Sequence, residues 1–575
     1  MRATNLIGLA VLLALLAAVA LSRFSARVVA QVPGAQTIEA REVRISATLA
    51  GTATGPVISV PAAQREAAYQ RLLALREQQA ADALANVAPS DGAAPAEAGP
   101  ATEVGDATAV DAGAPGNFLI GRDNRNPRAN NPFMGSSLAE PSAANFADAV
   151  IAAGNFNHAE FSSDGGATWT DISPDNLGEP PPVFTDFSCC DPDNIIDDAR
   201  RVGFYSIVYL NNAITTGAVR IHVLSNLDQG FVDCYYDLIL PGVLLDYPHL
   251  GLTKRFLYLS ANSVGPLSGC AGQCAQMYRF PTDDLATCTP VVVGSFFQWS
   301  AGMEGQRVWV PIGGTNNSET MYWAHTVNAN TIRLFSWDEN APFVINVTRA
   351  VSTTNFAGPD CRGGVNNTNF VRGLDTSPMS FDMRGTLTAI RTDTIDGFGP
   401  GYHQGIVWYW PSGPNASTGQ IQGFVRAALF RDAVGGLALV SQPDVWNPAF
   451  CFAFPIVTAN KRGDVGVTLV LGGRAGGGGS AASGFVGIAD EYTGGNGFFA
   501  IVFQAVGGTH NPADGRYGDY MTVHPYEPCE KWFSATAYAL SGGTGVANVD
   551  ERYVEFGRAQ SLRCWNAFVG FIANQ

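Results

Sequence analysis

The chain has 575 residues, a formal net charge of −16, 46% hydrophobic residues and 15% charged ones. That balance excludes a disordered chain, because there is ample material for a large core, and it excludes a protein that wraps nucleic acid, which needs a basic groove. With 64 Gly and 33 Pro the sequence carries the punctuation of many short strands and tight turns, so it reads as mostly β.

At the start, Met1-Arg2-Ala3 precedes an apolar run from Leu6 to Leu21 followed by small residues. This is the order of an export signal, so residues 1–30 read as a signal peptide or, if uncleaved, a signal anchor. No Cys follows to support a lipoprotein anchor. Residues 31–115 hold a β-like patch, "REVRISATL", a helix-forming stretch from Ala62 to Val87, and an Ala/Gly/Pro/Asp-rich run. With few aromatics to bury, they read as a stalk or linker with one candidate helix. The ten cysteines all fall between Cys189 and Cys564, as expected of an exported, oxidised protein. Cys270 and Cys274 are spaced to close a local loop, and the adjacent Cys189 and Cys190 are expected to pair with separate partners. Cys-x-x-Cys is missing, so no zinc site is expected.

From residue 116 to 575 the texture is uniform: apolar strands broken by Gly, Pro, Asn and Asp. A loose unit recurs, consisting of an acidic or polar residue near a Pro or aromatic, a short strand, a polar turn and a stronger strand. Examples are "EPSAANFADAVIAAGN" from Glu140, "CDPDNIIDDARRVGFYSIVYL" from Cys190, "DYPHLGLTKRFLYLSAN" from Asp246 and "FPIVTANKRGDVGVTLVLGG" from Phe454. Starts lie roughly 50 to 80 residues apart, which suits four-stranded blades of a β-propeller numbering about seven, alternatively six. Two tandem β-sandwiches are the competing architecture. "NFLIGRD" from Asn117 and "RYVEFGR" from Arg552 are the strands expected to close the ring.

The stretch "SSDGGATWTD" sets Ser162, Asp164, Gly166, Thr168 and Trp169 in the Ser-x-Asp-x-Gly-x-Thr-Trp pattern of an Asp box. The Asp accepts hydrogen bonds within a turn, the Gly takes a conformation other residues resist, and the Trp folds inward, so the motif is read as structural rather than catalytic. With the repeat and the export signal, it resembles the sialidase/BNR-repeat superfamily, closest to exported bacterial sialidase-like propellers of largely unassigned function. The resemblance spans about Asn117 to Arg558 and implies fold more than activity.

A sialidase of that superfamily implies three clamping Arg, an Asp acid/base and a Tyr–Glu nucleophile. Only Arg279, in "YRFP", approaches the first clamp motif, and it lies far downstream of the Asp box. Arg362, Arg372, Arg391 and Arg516 are further arginines in loops or strand starts, and "SWDENAPF" from Ser336 is a degenerate relative of the Asp box. Asp191, Asp246 and Asp519 stand in comparable places at the starts of strands expected to line the channel. They are candidate acid/base groups or ligands for a hard cation such as calcium, the competing reading being turn caps. His249 and His524 occupy equivalent-looking places. Trp408 and Trp410, in "IVWYWPSGPN", with His249 and Arg516, are the candidate ligand contacts, one indole being expected to stack on a sugar. The Gly-rich run "GGRAGGGGSAASG" lacks a phosphate loop's Lys-Ser/Thr and reads as a flexible connection.

The resulting expectation is an exported propeller, secreted, periplasmic or at the cell surface, that binds or recognises a ligand, carbohydrate first, with no cofactor identified and a bound calcium ion the one candidate. A sialidase-like glycoside hydrolase and a protein-interaction scaffold are the alternatives.

Overall fold

The computed structural model describes residues 36–45, 47–49, 101–103, 118–126, 139–155, 158–265, 273–299, 319–354, 359–371, 388–391, 405–415, 419–433, 436–442, 444–460, 465–489, 499–518 and 521–569. The expected signal segment, the candidate helix from Ala62 to Val87, Asp519, Arg372 and Cys270 lie outside them.

Seven sheets of four to six strands follow one another along the described chain, with one further two-stranded hairpin. Each is a meander in which sequential strands pair antiparallel, as in Ser142–Phe146, Ala149–Gly154, His158–Ser162 and Thr170–Asp171 of the first. The leading strand of each sheet is an edge, and leading strands pack against those of their neighbours. Asp193–Asp197 lies between Ser142–Phe146 and Leu244–Leu252, Cys451–Ala459 between Thr388–Arg391 and Val523–Pro525, and Val523–Pro525 returns to Ser142–Phe146. Such a closed run of meanders is a β-propeller, whose core lies between the faces of adjacent sheets. One layer joins Phe204, Val208, Leu250, Leu259 and Phe280 between the second and third sheets. Another joins Val486, Ile488, Phe533 and Phe556 between the sixth and seventh.

The two ends of the propeller close it. Phe118–Asn126 is the outer strand of the seventh sheet, pairing with Val549–Arg558 from Phe118 opposite Arg558 to Asn126 opposite Glu551. A C-terminal helix, Leu562–Val569, is fastened to the same sheet by the Cys529–Cys564 disulfide and by Trp565 stacking on Trp532 at 5.0 Å.

The region read as a stalk is partly bound to the propeller. Gln36–Glu39 pairs with Phe343–Asn346 of the fourth sheet, Arg41–Ile45 with the outer strand of the third, and Ala47–Leu49 with Cys234–Tyr236 of the second. Ala101–Glu103 runs parallel to Asp444–Trp446 of the fifth. Outer strands expose unpaired N–H and C=O groups, and an extended segment satisfies them by adding a strand.

The cysteine reading changes at one point: Cys189 and Cys190 bond to each other. They sit where the leading strand of the second sheet is interrupted, between Phe187–Ser188 and Asp193–Asp197, and the irregular backbone there accommodates the adjacent pair. Cys274 is disulfide-bonded, and Cys234–Cys288 and Cys361–Cys451 complete the described pairs. The Gly-rich run is packed rather than loose. Gly473 has φ +58, and a Cβ there would meet the Cys361 carbonyl at 2.2 Å, while the Gly478 N–H donates to Asn367 at 2.9 Å.

Candidate functional site

The recurring X-Pro pairs of the sequence mark one structural device. Glu140, Asp191, Tyr247 and Phe454 each precede a Pro, and each has a left-handed backbone, with φ of 43°, 53°, 54° and 52°. Tyr247 and Phe454 lie in two-residue bulges near the start of leading strands, between Asp246 and His249 and between Ala453 and Ile456, while Glu140 and Asp191 stand two residues before Ser142–Phe146 and Asp193–Asp197. Two residues on from the left-handed positions stand Ser142, Asp193, His249 and Ile456, of which Ser142 and His249 both meet the Asp193 carboxylate. Asp246 therefore does not occupy the place of Asp191. It stands one residue earlier, level with Cys190, and Tyr247 is the counterpart of Asp191, because the repeat is set by the Pro rather than by the acid.

Leading strands are edges, so their outward N–H groups need acceptors. Side chains of the preceding sheet supply them. The Ala143 N–H donates to Thr522 Oγ1 at 2.9 Å across the seventh-to-first junction, and Asn194 N–H to Ser142 Oγ at 2.9 Å. The Asp191 N–H donates to Asn155 Oδ1 at 2.8 Å, Tyr247 N–H to Asp191 Oδ2 at 3.1 Å and Leu250 N–H to Asp193 Oδ2 at 2.8 Å. Asp193 also accepts from Ser142 Oγ at 3.1 Å, and Asn155 Nδ2 donates to Glu140 Oε2 at 2.5 Å. Asp191 and Asp193 thus stitch the second sheet to the third, and Asp193 also binds Ser142 of the first sheet and the N–H of its own neighbour Asn194 at 2.9 Å.

This end of the channel, the mouth, gathers Glu140, Asp191, Asp193, Asp246, His249 and His524, all buried. The His249 Nδ1 lies 3.6 Å from Asp193 Oδ2, and its ring meets Tyr247 edge-on at 4.6 Å. His524 lies against the Asn194 backbone near Asp193, and burial, only partly offset by Asp193 and that backbone contact, lowers its pKa. These carboxylates and imidazoles are built into the wall of the mouth. Among the described residues, the one trio with ligand oxygens within 4.8 Å is Asp198, Glu527 and Glu530, which lies in the turns at the opposite end of the leading strands.

Other sequence candidates go elsewhere. Arg279 sits on the third strand of its sheet, at the turn end. Its Nη1 and Nη2 donate to the Asp338 and Ala341 carbonyls at 3.2 Å, and its guanidinium lies 4.5 Å from the Trp337 ring centre. It therefore clasps the degenerate Asp-box turn of the next sheet and cannot clamp a ligand at the mouth. Trp410 is wholly buried, its indole N–H donating to Thr354 Oγ1 at 2.9 Å, because strand alternation sends it into the inter-sheet core. Trp408 pairs with Ala428 along the backbone. Arg516 is buried beside Val371 in an isolated bridge, and Arg362 is held at the surface by Asp360 through two 2.7 Å hydrogen bonds.

The Asp box occupies the turn between the third and fourth strands of the first sheet. The Gly166 N–H donates to Ser162 Oγ at 2.8 Å, and Thr168 N–H and Oγ1 donate to Asp164 at 2.8 and 2.7 Å. Slight burial would raise the Asp164 pKa, but hydrogen bonds from Thr168 and Ser162 prevail and lower it. Trp169 meets Tyr553 edge-on at 6.4 Å, and Gly166, at φ +84, lets the indole lie over the turn. Beside it, Glu555 accepts from Arg122 at 3.1 Å, from Tyr553 at 3.1 Å and from Trp565 at 2.7 Å, while Arg122 also pairs with Asp148. Burial raises the Glu555 pKa to about 7 against the pull of Arg122, Trp565 and Tyr553. The sequence reading missed this group, although a Tyr-x-Glu in the closing strand was visible.

No protein-family model matches this chain, and no curated protein matches it. Among solved structures it is similar to an α-L-arabinofuranosidase from Fusarium graminearum, at 9% identity over 77% of this chain and 98% of that one, with a TM-score of 0.37. It is similar to an α-L-arabinanase from Penicillium chrysogenum, at 9% identity over 77% and 99%, with a TM-score of 0.34. A mutant Trypanosoma rangeli sialidase gives 9% identity over 58% and 52%, with a TM-score of 0.30. Likenesses at this level carry no argument about chemistry.

Proposed function

We propose that this protein is a carbohydrate-recognition propeller acting outside the cytoplasm, with its ligand taken at the mouth beside Glu140, Asp191, Asp193, Asp246 and His249. The observation that carries the reading is the use of the mouth carboxylates. Asp191 and Asp193 are buried and accept backbone N–H groups of the next sheet at 3.1 and 2.8 Å, which commits them to holding the wall beneath the ligand rather than to acting as an acid/base pair. Arg279, the best clamp candidate, is engaged at the other end. The described cysteines contain no free thiol, which suits an oxidising compartment.

The test is capture of the full-length chain on an array of defined oligosaccharides, alongside a panel of fluorogenic glycosides that includes sialosides. Capture without turnover, retained in Arg279→Ala, is expected. Turnover that disappears in Asp191→Asn would replace this reading with a glycoside hydrolase, and absence of both capture and turnover would leave the scaffold alternative.

A further inference from the structure

The connection from the first sheet to the second, "EPPPVFTD" from Glu179 to Asp186, displays Val183 at 65% and Phe184 at 63% exposure. Phe184 also has φ +70, a left-handed backbone that is costly for an aromatic residue and that Gly or Asn would adopt with less strain. Among the described residues eleven non-glycine ones have such a φ, and the other aromatic ones, Tyr247 and Phe454, are buried. A strained and solvent-facing ring is an outlier in both conformation and burial, and such outliers persist where function holds them.

The surrounding structure holds it firmly. On the N-terminal side, Glu179 is buried and anchors the loop to the second sheet, its Oε2 2.9 Å from His222 Nε2 and 3.0 Å from Arg220 Nη1. Arg220 is in turn gripped by Asp237 and lies 3.7 Å from the Tyr235 ring centre, and His222 stacks on Tyr205 at 3.9 Å. Burial opposes the Glu179 charge, but His222 and Arg220 outweigh it and keep the carboxylate ionised. Pro180, Pro181 and Pro182 then remove backbone freedom. Thr185 folds back, its N–H and Oγ1 donating to the Pro182 carbonyl at 3.0 and 2.7 Å. On the C-terminal side the Asp186 N–H donates to the Leu210 carbonyl at 2.9 Å, and Asp186 Oδ2 accepts from the Asn212 N–H at 2.6 Å.

We propose that Phe184, flanked by Val183, is a preset stacking platform for the apolar face of a saccharide ring on the rim of the channel mouth. This rests on the carbohydrate reading above and names a contact of that site. The loop enters the second sheet just before Cys189 and Asp191, so it lies on the mouth side. A rigid, solvent-facing ring two residues from the exposed Asp186 carboxylate matches a sugar ring, which offers C–H groups on its face and hydroxyls at its edge. A protein partner would need a broad apolar patch. The other exposed large hydrophobics among the described residues are Phe231 at the turn end, and Val365 and Ile421 in the hairpin and loop above the fifth and sixth sheets.

The test compares full-length wild type with Phe184→Ala, Phe184→Trp and Phe184→Gly on the same oligosaccharide array, and follows thermal melting of each. Capture is expected to weaken about tenfold in Phe184→Ala and to persist in Phe184→Trp. Phe184→Gly is expected to melt at or above the wild-type temperature, because strain is relieved and no packing is lost. Undiminished capture by Phe184→Ala would overturn the platform while leaving the carbohydrate reading in place. A clear fall in the melting temperature of Phe184→Gly would overturn it independently, by making Phe184 a packing residue. A wild type that captures no saccharide would sink both.

Discussion

The mouth between the first and third sheets and the junction between the seventh and first both bury carboxylates, and they employ them differently. At the mouth, Asp191 and Asp193 bind backbone N–H groups of the following strand. At the junction, Glu555 binds a guanidinium, a phenol and an indole that come from the N-terminal strand, its own strand and the C-terminal helix. The first arrangement joins neighbours of one repeated design, so each stitch is small and replicated. The second joins the first and last strands of the propeller, which are far apart in sequence, so one cluster bears the load.

That contrast is broken most sharply at Arg122. Arg122→Ala leaves Glu555 and Asp148 without their cation, and a loss of about 3 to 5 kcal/mol in denaturant unfolding is expected. A loss of under about 1 kcal/mol would show that the junction is held by backbone pairing alone. The next effect is in pH. Glu555 has a pKa of about 7 in the folded chain against an ordinary value of 4.5, so between those values the folded state keeps a proton that the unfolded state releases. Its favourable contribution is therefore full below the lower value and is lost as pH rises through the higher one. The expected slope is at most about 1.4 kcal/mol per pH unit, and Glu555→Gln should flatten it. A wild-type melting temperature that rises steadily over pH 5 to 7, unchanged in Glu555→Gln, would contradict that assignment. Smallest is a single stitch: Asp193→Ala removes the acceptor for the Leu250 N–H and should cost about 1 to 3 kcal/mol, with Asp193→Asn recovering part of it. Equal melting of Asp193→Ala and wild type would make the mouth polar groups dispensable for the fold.

Much of the architecture was legible because it depends on local patterning. Alternating strands, Gly and Pro punctuation and the Asp box each act within a few residues. The two closing strands stood out because they flank the repeat. The repeat itself was visible, but its phase was not: Asp246 and Asp191 look equivalent until the left-handed residue before each Pro is seen, and then Tyr247 takes that place. The candidate residues sit in different surroundings: His249 lies 3.6 Å from Asp193 and Asp191 accepts from the Tyr247 N–H, whereas Arg279 and Trp410 are drawn into contacts between sheets.

By itself, the sequence determined the strand texture, the Asp-box turn and the closure of the propeller by its own two ends, since those follow from spacing and short-range hydrogen bonding. Only the tertiary structure decided which sheet edges the N-terminal segment covers, that Cys189 bonds to Cys190, that the mouth carboxylates serve the next sheet, and that Phe184 rather than Trp410 meets solvent. Each of these turns on groups brought together from distant parts of the chain, and the identity of a residue does not specify which neighbour the fold will set beside it.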